Sequence, residues 1–558
     1  MKKIITISIS FMMSVMTLFS AVGCGGSAHS HDYFEVKEKS ATCTENGNVL
    51  YYECSCGKYF IKNGDKYEEK PIEELTITAK GHVFDKAIEQ EEFLVAEATD
   101  TSARKYFYSC ECGESSNDTN KTFSVGKSLS EYAKEDKSDY VPNSLTITLY
   151  DAENCVYGFT WNTKAEPARS VVRICEGKAF ADYIKTGART ENAFSYENGD
   201  PVDKQINYYI SKAEIQLKPD TEYTYTVGDE YLETSTEAVT IKTVNAKETR
   251  KWRFAHVSDS QAEGDGKTGI GTGKSFGKVL KCVTSREDNR FLLHTGDVVE
   301  YSMYESYWRA MLGENFAYLS KLPIMAISGN HETTYKSGEY ETYKHFDYKI
   351  PEQEYIDLGF YYSFSYGGVK FIMLNTNRLY GGETLTSDQY SWLENELKNK
   401  TEKWTIVAMH NPMYSVGKWG SDPAKNSISR ALTAQLGELF ATYNVDLVLQ
   451  GHDHMVSRTH PITAAGVAAT ETKEEVAGVE YTVNPEGVIY IMNGPAGDQS
   501  KGDSTYSYDK NLYEYAEGSE SCSWAEFEIT ANSITVYVKY VNAGSAKTSH
   551  IWGIEKTA

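Results

Sequence analysis

The sequence predicts a multidomain protein, in which small cysteine- and histidine-containing repeats precede a β-sandwich and an α/β domain. A Cys-x-Cys-Gly pattern occurs twice before residue 120, short alternating strands fill residues 138–248, and strands alternate with helical stretches from Lys251 onward. At 558 residues the chain is too long for a single hydrophobic core. We therefore divide the sequence into residues 1–23, 24–130, 138–248 and 251–545.

The N-terminus has the pattern of an export signal. Two lysines precede an apolar stretch from Ile4 to Phe19, and small residues follow it. The stretch is shorter than the roughly 20 residues of a membrane-spanning helix, although an uncleaved membrane anchor stays a second interpretation. Ala21-Val-Gly-Cys24 resembles the cleavage box of bacterial lipoproteins, with Ala21 where leucine is usual. The resemblance implies a signal peptide over residues 1–23 and a lipid on Cys24, which would anchor an exported protein to the outer face of the bacterial cell membrane.

Residues 24–130 contain a weak internal repeat with the spacing of metal ligands. The segment Tyr51-Tyr-Glu-Cys-Ser-Cys-Gly57 is similar to Phe107-Tyr-Ser-Cys-Glu-Cys-Gly113. Three cysteines and one histidine can complete a closed tetrahedral site of the structural kind. We therefore predict a structural zinc site in the first copy, with the ligands His31, Cys43, Cys54 and Cys56.

The second copy of the repeat is less complete. It has His82, Cys110 and Cys112, but Asp100 stands where Cys43 would align, so its site would be mixed or lost. Disulfide bonds, which exported proteins often form, and free thiols are alternatives for both copies. The segment resembles the small zinc-ribbon-like repeats of bacterial surface proteins. We expect a spacer or attachment module that is too small to carry catalysis.

Residues 138–248 have the short, regularly spaced strands of a β-sandwich. Ser144–Tyr150 and Val156–Asn162 are examples, and Lys218-Pro-Asp220 is a turn between two later strands. Trp161 is the expected core tryptophan. The pattern from 217 to 229 resembles the fibronectin-III-like domain that precedes the catalytic domain in purple acid phosphatases.

Five polar clusters in residues 251–545 each follow a short apolar run. Because the side chains just past a buried strand lie at the sheet edge, five such ends can converge on one crevice. Their carboxylate, amide and imidazole groups are the donors that hard and borderline metal ions prefer. The series therefore predicts a two-metal hydrolytic site, with Asp297 as the natural bridging ligand. The clusters are Asp259-Ser-Gln261, Gly296-Asp297, Gly329-Asn-His-Glu332, His410-Asn-Pro412 and Gly451-His-Asp-His454.

The order of these clusters resembles the calcineurin-like metallophosphoesterase superfamily over about residues 251–545. The resemblance implies an α/β sandwich of two mixed sheets flanked by helices, and two divalent or trivalent ions of Fe, Mn or Zn. It assigns to His331, beside the metals, a role in assisting the phosphate or the leaving group. It places the ligands Asp259, Asp297 and His454 at one ion and Asp297, Asn330, His410 and His452 at the other, with Gln261 as a further candidate at the first.

The expected activity is the hydrolysis of phosphate monoesters by a hydroxide that bridges the two ions, as in acid phosphatases. His331 and Asp297 are the expected catalytic residues, and the substrate would be a phosphorylated small molecule or a wall-associated compound. We expect Glu332 and Asp453 to orient imidazoles. Arg458 is expected either to contact the phosphate or support the ligands, or to be a solvated or structural arginine. A phosphodiesterase on nucleotides, lipids or wall polymers is the alternative enzyme, and a catalytically inactive surface binding protein is the alternative class.

Two positions depart from the family pattern. Gln261 stands where many relatives have a histidine, and an amide oxygen is a poorer ligand than an imidazole. Glu300 stands three residues after Asp297, where purple enzymes have a tyrosine, and Tyr301 is one position further on. We therefore do not expect the iron–tyrosinate colour, and the metal stays open among Fe, Mn and Zn.

The net charge of the chain and its weaker motifs restrict the classes of ligand and of site that we expect. Lys and Arg total 56 against 79 Asp and Glu, a net charge of -23, which argues against a nucleic-acid partner. A phosphate substrate stays compatible, since bound metals invert the local charge. The segment from Thr268 to Ser275 nearly matches a P-loop, but we predict a loop beside the site. His256 and His294 are expected to be core histidines.

Overall fold

The computed structural model describes residues 31–180, 182–196, 205–261, 273–333, 341–353, 359–377, 385–421, 426–497, 508–518, 521–542 and 544–557. The predicted signal peptide, Cys24 and most of the P-loop-like segment lie outside them. The described chain forms two compact units, of which the first contains residues 31–88 and 106–123 and the second residues 89–105 and 124–557. No helix among these residues is both long and apolar enough to cross a membrane.

The first unit contains a four-stranded antiparallel sheet in the order β1-β3-β4-β5 and a small two-stranded sheet of β2 and β6. Gly64 lies in the tight turn between β4 and β5. Its φ of 62° is a conformation that residues with a side chain rarely adopt. Tyr33 stacks on Tyr67 across this sheet at 3.6 Å between ring centroids. The elements are β1 Tyr33–Val36, β2 Gly47–Asn48, β3 Tyr51–Cys54, β4 Tyr59–Asn63, β5 Lys66–Lys70, α1 Ile72–Leu75 and β6 Thr76–Ile77.

Short elements fill the chain from residue 91 to residue 140. Ser128 caps the helix α2, and its backbone N–H donates to the Glu131 carboxylate at 2.8 Å, so a capping box begins this helix. The elements are β7 Leu94–Ala96, β8 Arg104–Phe107, β9 Thr122–Val125 and α2 Leu129–Tyr132, with 3-10 turns at Glu91–Phe93 and Lys137–Tyr140.

Two four-stranded antiparallel sheets lie where the sequence predicts a β-sandwich. Their orders are β10-β11-β15-β14 and β13-β12-β16-β17. Apolar side chains of both sheets share one core, in which Phe159 meets Tyr225 edge-to-face at 5.0 Å and Trp161 is buried. The relation to fibronectin type III domains stays a prediction. The strands are β10 Asn143–Asp151, β11 Val156–Thr163, β12 Ser170–Glu176, β13 Ile184–Gly187, β14 Arg189–Tyr196, β15 Gln205–Gln216, β16 Glu222–Asp229 and β17 Val239–Lys242.

The remaining strands form two mixed sheets that pack face to face. One has eight strands in the order β20-β19-β18-β30-β31-β32-β27-β26, and the other has seven in the order β21-β22-β23-β24-β28-β25-β29. Aromatic rings join the sheets, with Phe254 edge-to-face on Phe371 at 5.3 Å. The strands are β18 Trp252–Val257, β19 Asn289–His294, β20 Ile324–Ala326, β21 Tyr362–Tyr366, β22 Val369–Met373, β23 Trp404–Ala408, β24 Leu447–Gln450, β25 Met455–Thr459, β26 Thr472–Val476, β27 Val479–Val483, β28 Ile489–Asn493, β29 Tyr513–Gly518, β30 Ser523–Ile529, β31 Ser533–Asn542 and β32 Ser545–Glu555.

Helices flank these sheets. The helix α3 buries Phe276, Val279, Leu280 and Val283, whose helical spacing places them on one face. The predicted domain end at residue 545 is too early, because β32 pairs with β31 and completes the eight-stranded sheet. The helices are α3 Lys274–Thr284, α4 Glu305–Trp308, α5 Phe316–Leu319, α6 Asn330–Thr333, α7 Glu341–His345, α8 Ser387–Asn399, α9 Lys418–Ser421 and α10 Ser427–Thr442, with a π-helical turn at Arg309–Gly313.

The β-sandwich supports the segment that follows α7. Thr146 donates a hydrogen bond to the His345 carbonyl at 2.8 Å, and the buried Lys212 ammonium donates to the Phe346 carbonyl at 2.8 Å. Arg189 forms an ion pair with the buried carboxyl of Asp347 at 2.8 Å. The segment is therefore fixed to the sandwich through its own backbone and one carboxyl.

Candidate metal centre

The five polar clusters follow five strands of two different sheets. The strands β18, β19 and β20 are parallel neighbours in the eight-stranded sheet, and β23 and β24 are parallel neighbours in the seven-stranded sheet. Parallel neighbours end at the same edge, so each sheet contributes one row of polar side chains. The site lies between two sheet edges rather than along the edge of one.

The predicted ligands come together at this place. Nε2 of His410 lies 3.2 Å from Oδ2 of Asp297 and 3.0 Å from Oδ1 of Asn330. Donor atoms of Asp297, His410 and His452 all lie within 4.8 Å of one another. Oδ1 of Asp259 lies 3.7 Å from Nε2 of His454. This mixture of carboxylate, amide and imidazole donors, in two groups, fits the binding of two cations.

A hydrogen bond from Nδ1 to a backbone carbonyl fixes the orientation of each of two imidazole rings. Nδ1 of His410 donates to the carbonyl of Thr295 at 2.8 Å, so its Nε2 is the ring nitrogen that faces the carboxylate. Nδ1 of His331 donates to the carbonyl of Glu300 at 2.8 Å, and its Nε2 lies 3.9 Å from Oδ2 of Asp297. Both rings therefore present Nε2 to the centre.

Two glycines allow the turns of the site to pack against each other. Gly296 has φ of 94°, and a Cβ on it would lie 2.6 Å from the backbone nitrogen of Gly329. A Cβ on Gly329 would overlap Oδ1 of Asp297. Glycine is required at both positions because the two backbones are in direct contact.

The side chain of Glu332 holds these same two turns, which is not the role that we predicted for it. Its buried carboxylate accepts hydrogen bonds from the backbone N–H groups of Asp297 at 2.9 Å, Val299 at 3.1 Å and Gly329 at 2.7 Å. We predicted that Glu332 orients an imidazole. It fixes the backbone of two ligand-bearing turns instead, because its short helix directs the carboxylate back towards them.

Gln261 carries a buried acceptor without a hydrogen-bond donor among the described residues. Its side chain is 1% exposed, and Oε1 accepts no hydrogen bond from any residue that the structure describes. A buried polar atom without a partner costs free energy. Gln261 also lines the pocket with Asp297 and His454. Its position and its unused oxygen both fit a role as ligand.

Burial and neighbouring charges shift the pKa values of three groups in the site. Burial acts to raise the pKa of the Asp297 carboxyl, but His410 outweighs it and holds that pKa well below its usual range. Burial acts to lower the pKa of His410, yet Asp297 raises it to about 9. Burial, followed by repulsion from His410, lowers the pKa of His452 to about 3. A cation that binds His410 must therefore displace a proton, whereas His452 is already neutral.

The pocket above these ligands has a volume of about 230 Å³ and two further residues in its wall. Lys418 and Trp419 line it, and the Trp419 ring lies 4.8 Å from the His452 ring. We did not predict either residue. Both lie at the start of the short helix α9 after β23, a few positions past His410, where a tryptophan beside glycines was the available signal.

Asp453 does not orient an imidazole, and of the two roles expected for Arg458 the structure favours the structural one. The Asp453 carboxylate accepts from the Ser415 hydroxyl and, at 3.2 Å, from the backbone N–H of Trp419, so it fixes the loop that carries the pocket wall. The buried guanidinium of Arg458 stacks on Trp552, 4.3 Å from the ring centroid. Arg458 lies on β25 and points into the sheet packing, away from the residues that line the pocket.

The remaining candidates near the site are structural. His256 and His294 are fully buried, and burial lowers the pKa of His256 to about 3 and of His294 to about 4. His294 accepts from the Gly296 N–H at 3.2 Å, which confirms the prediction of a core histidine. The Tyr301 ring packs edge-to-face on Tyr307 at 5.5 Å.

The N-terminal cysteines are grouped differently from the prediction. Sγ of Cys43 lies 3.4 Å from Sγ of Cys110, in the second copy of the repeat. The first copy is left with His31, Cys54 and Cys56. The predicted site of His31, Cys43, Cys54 and Cys56 is therefore corrected, because the fold brings the segment of Cys43 next to the second copy.

Comparison with known proteins agrees with this geometry. Residues 253–456 match the family model of calcineurin-like phosphoesterases. Purple acid phosphatase 23 of Arabidopsis thaliana is 26% identical over 370 residues, which are 62% of this chain and 75% of that protein. Acid phosphatase type 7 of Mus musculus is 30% identical over 224 residues, 37% of this chain and 48% of that protein.

The fold is also similar to that of a solved structure. The purple acid phosphatase from yellow lupin (Lupinus luteus) seeds superposes with a TM-score of 0.60 at 18% identity, over 75% of each chain. This likeness shows a shared fold of two mixed sheets. Together, the phosphoesterase match and the similarity to purple acid phosphatases confirm the prediction that the chain is a phosphoric ester hydrolase.

Proposed function

We propose that the domain formed by residues 251–555 hydrolyses phosphate monoesters at a dinuclear metal centre. The observation that carries this proposal is the approach of Asp297 to His410 and His452, beside the pair of Asp259 and His454. Asp259, Asp297, Gln261 and His454 would hold one ion, and Asp297, Asn330, His410 and His452 the other. When bound, two such ions would polarise a phosphoryl group and lower the pKa of a water molecule towards 7.

The chain's own residues supply positioning and a proton. Lys418 lines the pocket beside the ligands, where its ammonium attracts a phosphate group. Trp419 forms an apolar wall for the organic part of the substrate. His331 presents Nε2 to the pocket, and its protonated ring can donate to the departing oxygen. These roles suit a small phosphate ester.

The preference for monoesters is supported by the relatives and by the size of the pocket. The similar proteins are named acid phosphatases, and a pocket of about 230 Å³ suits one phosphate with a small leaving group. The metal is proposed to be Fe, Mn or Zn. Since Glu300 stands where purple enzymes have a tyrosine, we propose a colourless enzyme.

The test uses the purified chain loaded in turn with Mn, Zn or Fe, and p-nitrophenyl phosphate and its bis-ester as parallel substrates. We expect turnover of the monoester and a loss of at least about a hundredfold in Asp297→Asn. Asp388→Asn is the matched control, because Asp388 is exposed on α8. Absence of turnover with every ion would refute the enzyme, turnover of the bis-ester alone would replace the substrate class, and full activity of Asp297→Asn would refute the site.

We also propose that the protein acts at the cell surface, attached through a lipid on Cys24. The support is the sequence pattern around Ala21 to Cys24. Metabolic labelling with radioactive palmitate should mark the full chain, whereas Cys24→Ala should be unlabelled. Equal labelling of both would contradict the anchor.

A further inference from the structure

Four metal-binding side chains that are distant in the sequence lie together in the first unit. They are Cys43, His82, Cys110 and Cys112, and one donor atom of each lies within 4.8 Å of all the others. Sγ of Cys43 is 3.4 Å from Sγ of Cys110, and Sγ of Cys112 is 3.3 Å from Nδ1 of His82. We propose that these four residues bind one structural zinc ion.

The distances suit a tetrahedral metal site better than any other arrangement of thiols. Ligands on a tetrahedron with metal–sulfur bonds of about 2.3 Å lie roughly 3.8 Å apart. Sulfurs in a disulfide are only about 2.05 Å apart, and the nine cysteines that the structure describes form no disulfide. Three thiolates and one imidazole are a soft donor set that selects zinc over magnesium or calcium.

The backbone holds the ligands in place independently of the side chains. Lys80 and Gly81 donate hydrogen bonds to the carbonyls of Thr42 and Cys43 at 2.9 and 3.0 Å, which sets Cys43 alongside His82. Gly113 donates to the carbonyl of Cys110 at 2.9 Å and has φ of 85°, so the chain turns tightly around the Cys-x-Cys pair. The first copy has the same turn, in which Gly57 donates to the carbonyl of Cys54 at 2.8 Å. Each of the two turns directs the two thiols of its own Cys-x-Cys pair to the same side.

A zinc ion at this site would stabilise the first unit, which has a small apolar core. The buried apolar side chains among the described residues of the unit are Ala41, Cys54, Phe60, Leu75, Tyr106 and Cys110. A core of this size contributes little stability, and small domains commonly add a structural metal. The ion would join three segments separated by more than twenty residues each. All four positions are filled by the protein, so the site is closed and structural rather than catalytic.

The proposal differs from the sequence expectation in the partner of Cys43, and the experiment uses that difference. The full chain with Cys56→Ser is loaded with Co²⁺, which gives a thiolate-to-metal absorption band. The ligands of the phosphoesterase centre contain no sulfur, so this band reports only the cysteine sites. We expect Cys43→Ser and Cys112→Ser, each added to this background, to abolish the band. Cys282→Ser, a half-buried thiol of the second unit, should leave it unchanged.

A second measurement needs no substitution. The zinc-loaded chain is alkylated with and without a chelator, and the labelled peptides are mapped by mass spectrometry. We expect Cys43, Cys110 and Cys112 to be protected together and to become labelled together when the chelator is added. The proposal is overturned if Cys43 changes with Cys54 and Cys56, if labelling ignores the chelator, or if Cys43 is found in a disulfide.

Discussion

Three of the proposed ligand residues have backbone conformations that non-glycine residues rarely adopt. The φ angles are 51° for Asp259, 53° for Asp297 and 75° for His452. Non-glycine residues in this left-handed region store local strain, and Asp, Asn and His tolerate it better than most. The N–H of His452 donates to the carboxylate of Asp259 at 3.0 Å, which holds one strained residue against another. The fold therefore supports these conformations to aim the ligands, before any cation binds.

Gln261 gives the sharpest prediction for a single residue. Gln261→His should tighten metal binding at the group of Asp259 and His454 by about tenfold, because an imidazole nitrogen is a better ligand than an amide oxygen. A chelator titration of the loaded protein measures the change. Gln216→His, at the exposed end of β15, is the matched control. An unchanged titration would show that Gln261 is not a ligand.

At the scale of elements, the site depends on the direct contact between the turn after β19 and the turn after β20. Glu332 binds backbone N–H groups of both turns, and the two glycines remove the side chains that would separate them. The short helix α6 thus positions two ligands at once, Asn330 through its own side chain and Asp297 through Glu332. A strand end alone would leave Asp297 free to rotate.

Gly329→Ala tests this contact. The added methyl group overlaps Oδ1 of Asp297, so we expect metal affinity and turnover to fall at least about tenfold. Gly437→Ala in α10 is the control, since its methyl group would meet only Thr433 at 3.9 Å and should stabilise the helix by roughly 0.5–1 kcal/mol. Metal titration and thermal unfolding of both variants are compared. Normal metal binding by Gly329→Ala would contradict the contact.

At the scale of the whole molecule, the buried carboxyl of Asp347 lies at the contact between the β-sandwich and the phosphoesterase domain. Burial raises the pKa of Asp347 to about 7, although Lys212 and Arg189 act to lower it. The folded protein therefore binds this proton more tightly than the unfolded chain does. This contribution to stability is fully present below about pH 4 and is lost as the pH rises from about 4 through 7, by at most about 1.4 kcal/mol per pH unit.

Asp347→Asn should remove this part of the pH dependence. The midpoint of thermal unfolding is measured from pH 4 to 8, and we expect the variant to gain stability over wild type as the pH rises. Asp151→Asn provides a control of opposite sign, because Lys349 outweighs burial and lowers the pKa of Asp151. Parallel curves for wild type and Asp347→Asn would contradict the assignment.

Much of the phosphoesterase domain was predictable because its signals are local. Strands β18, β19, β20, β23 and β24 each match a predicted apolar run, and the ligands follow directly at their ends. The clusters that contain Asp259, Asp297, Asn330, His410, His452 and His454 were visible from donor type and strand-end position, since neighbouring parallel strands bring their ends together. The choice of these six as ligands came from the resemblance to metallophosphoesterases.

Other features were decided only by tertiary structure, because they depend on which segments meet. The two-sheet origin of the site, the backbone role of Glu332 and the stacking of Arg458 on Trp552 all join residues that no local pattern connects. Cys43 shows the reason most clearly. It precedes the first Cys-x-Cys pair by eleven residues, yet backbone hydrogen bonds to Lys80 and Gly81 place it with Cys110 and Cys112. The sequence by itself determined the donor types available to both candidate sites, and chain topology decided which donors lie together, because only the fold brings distant segments into contact.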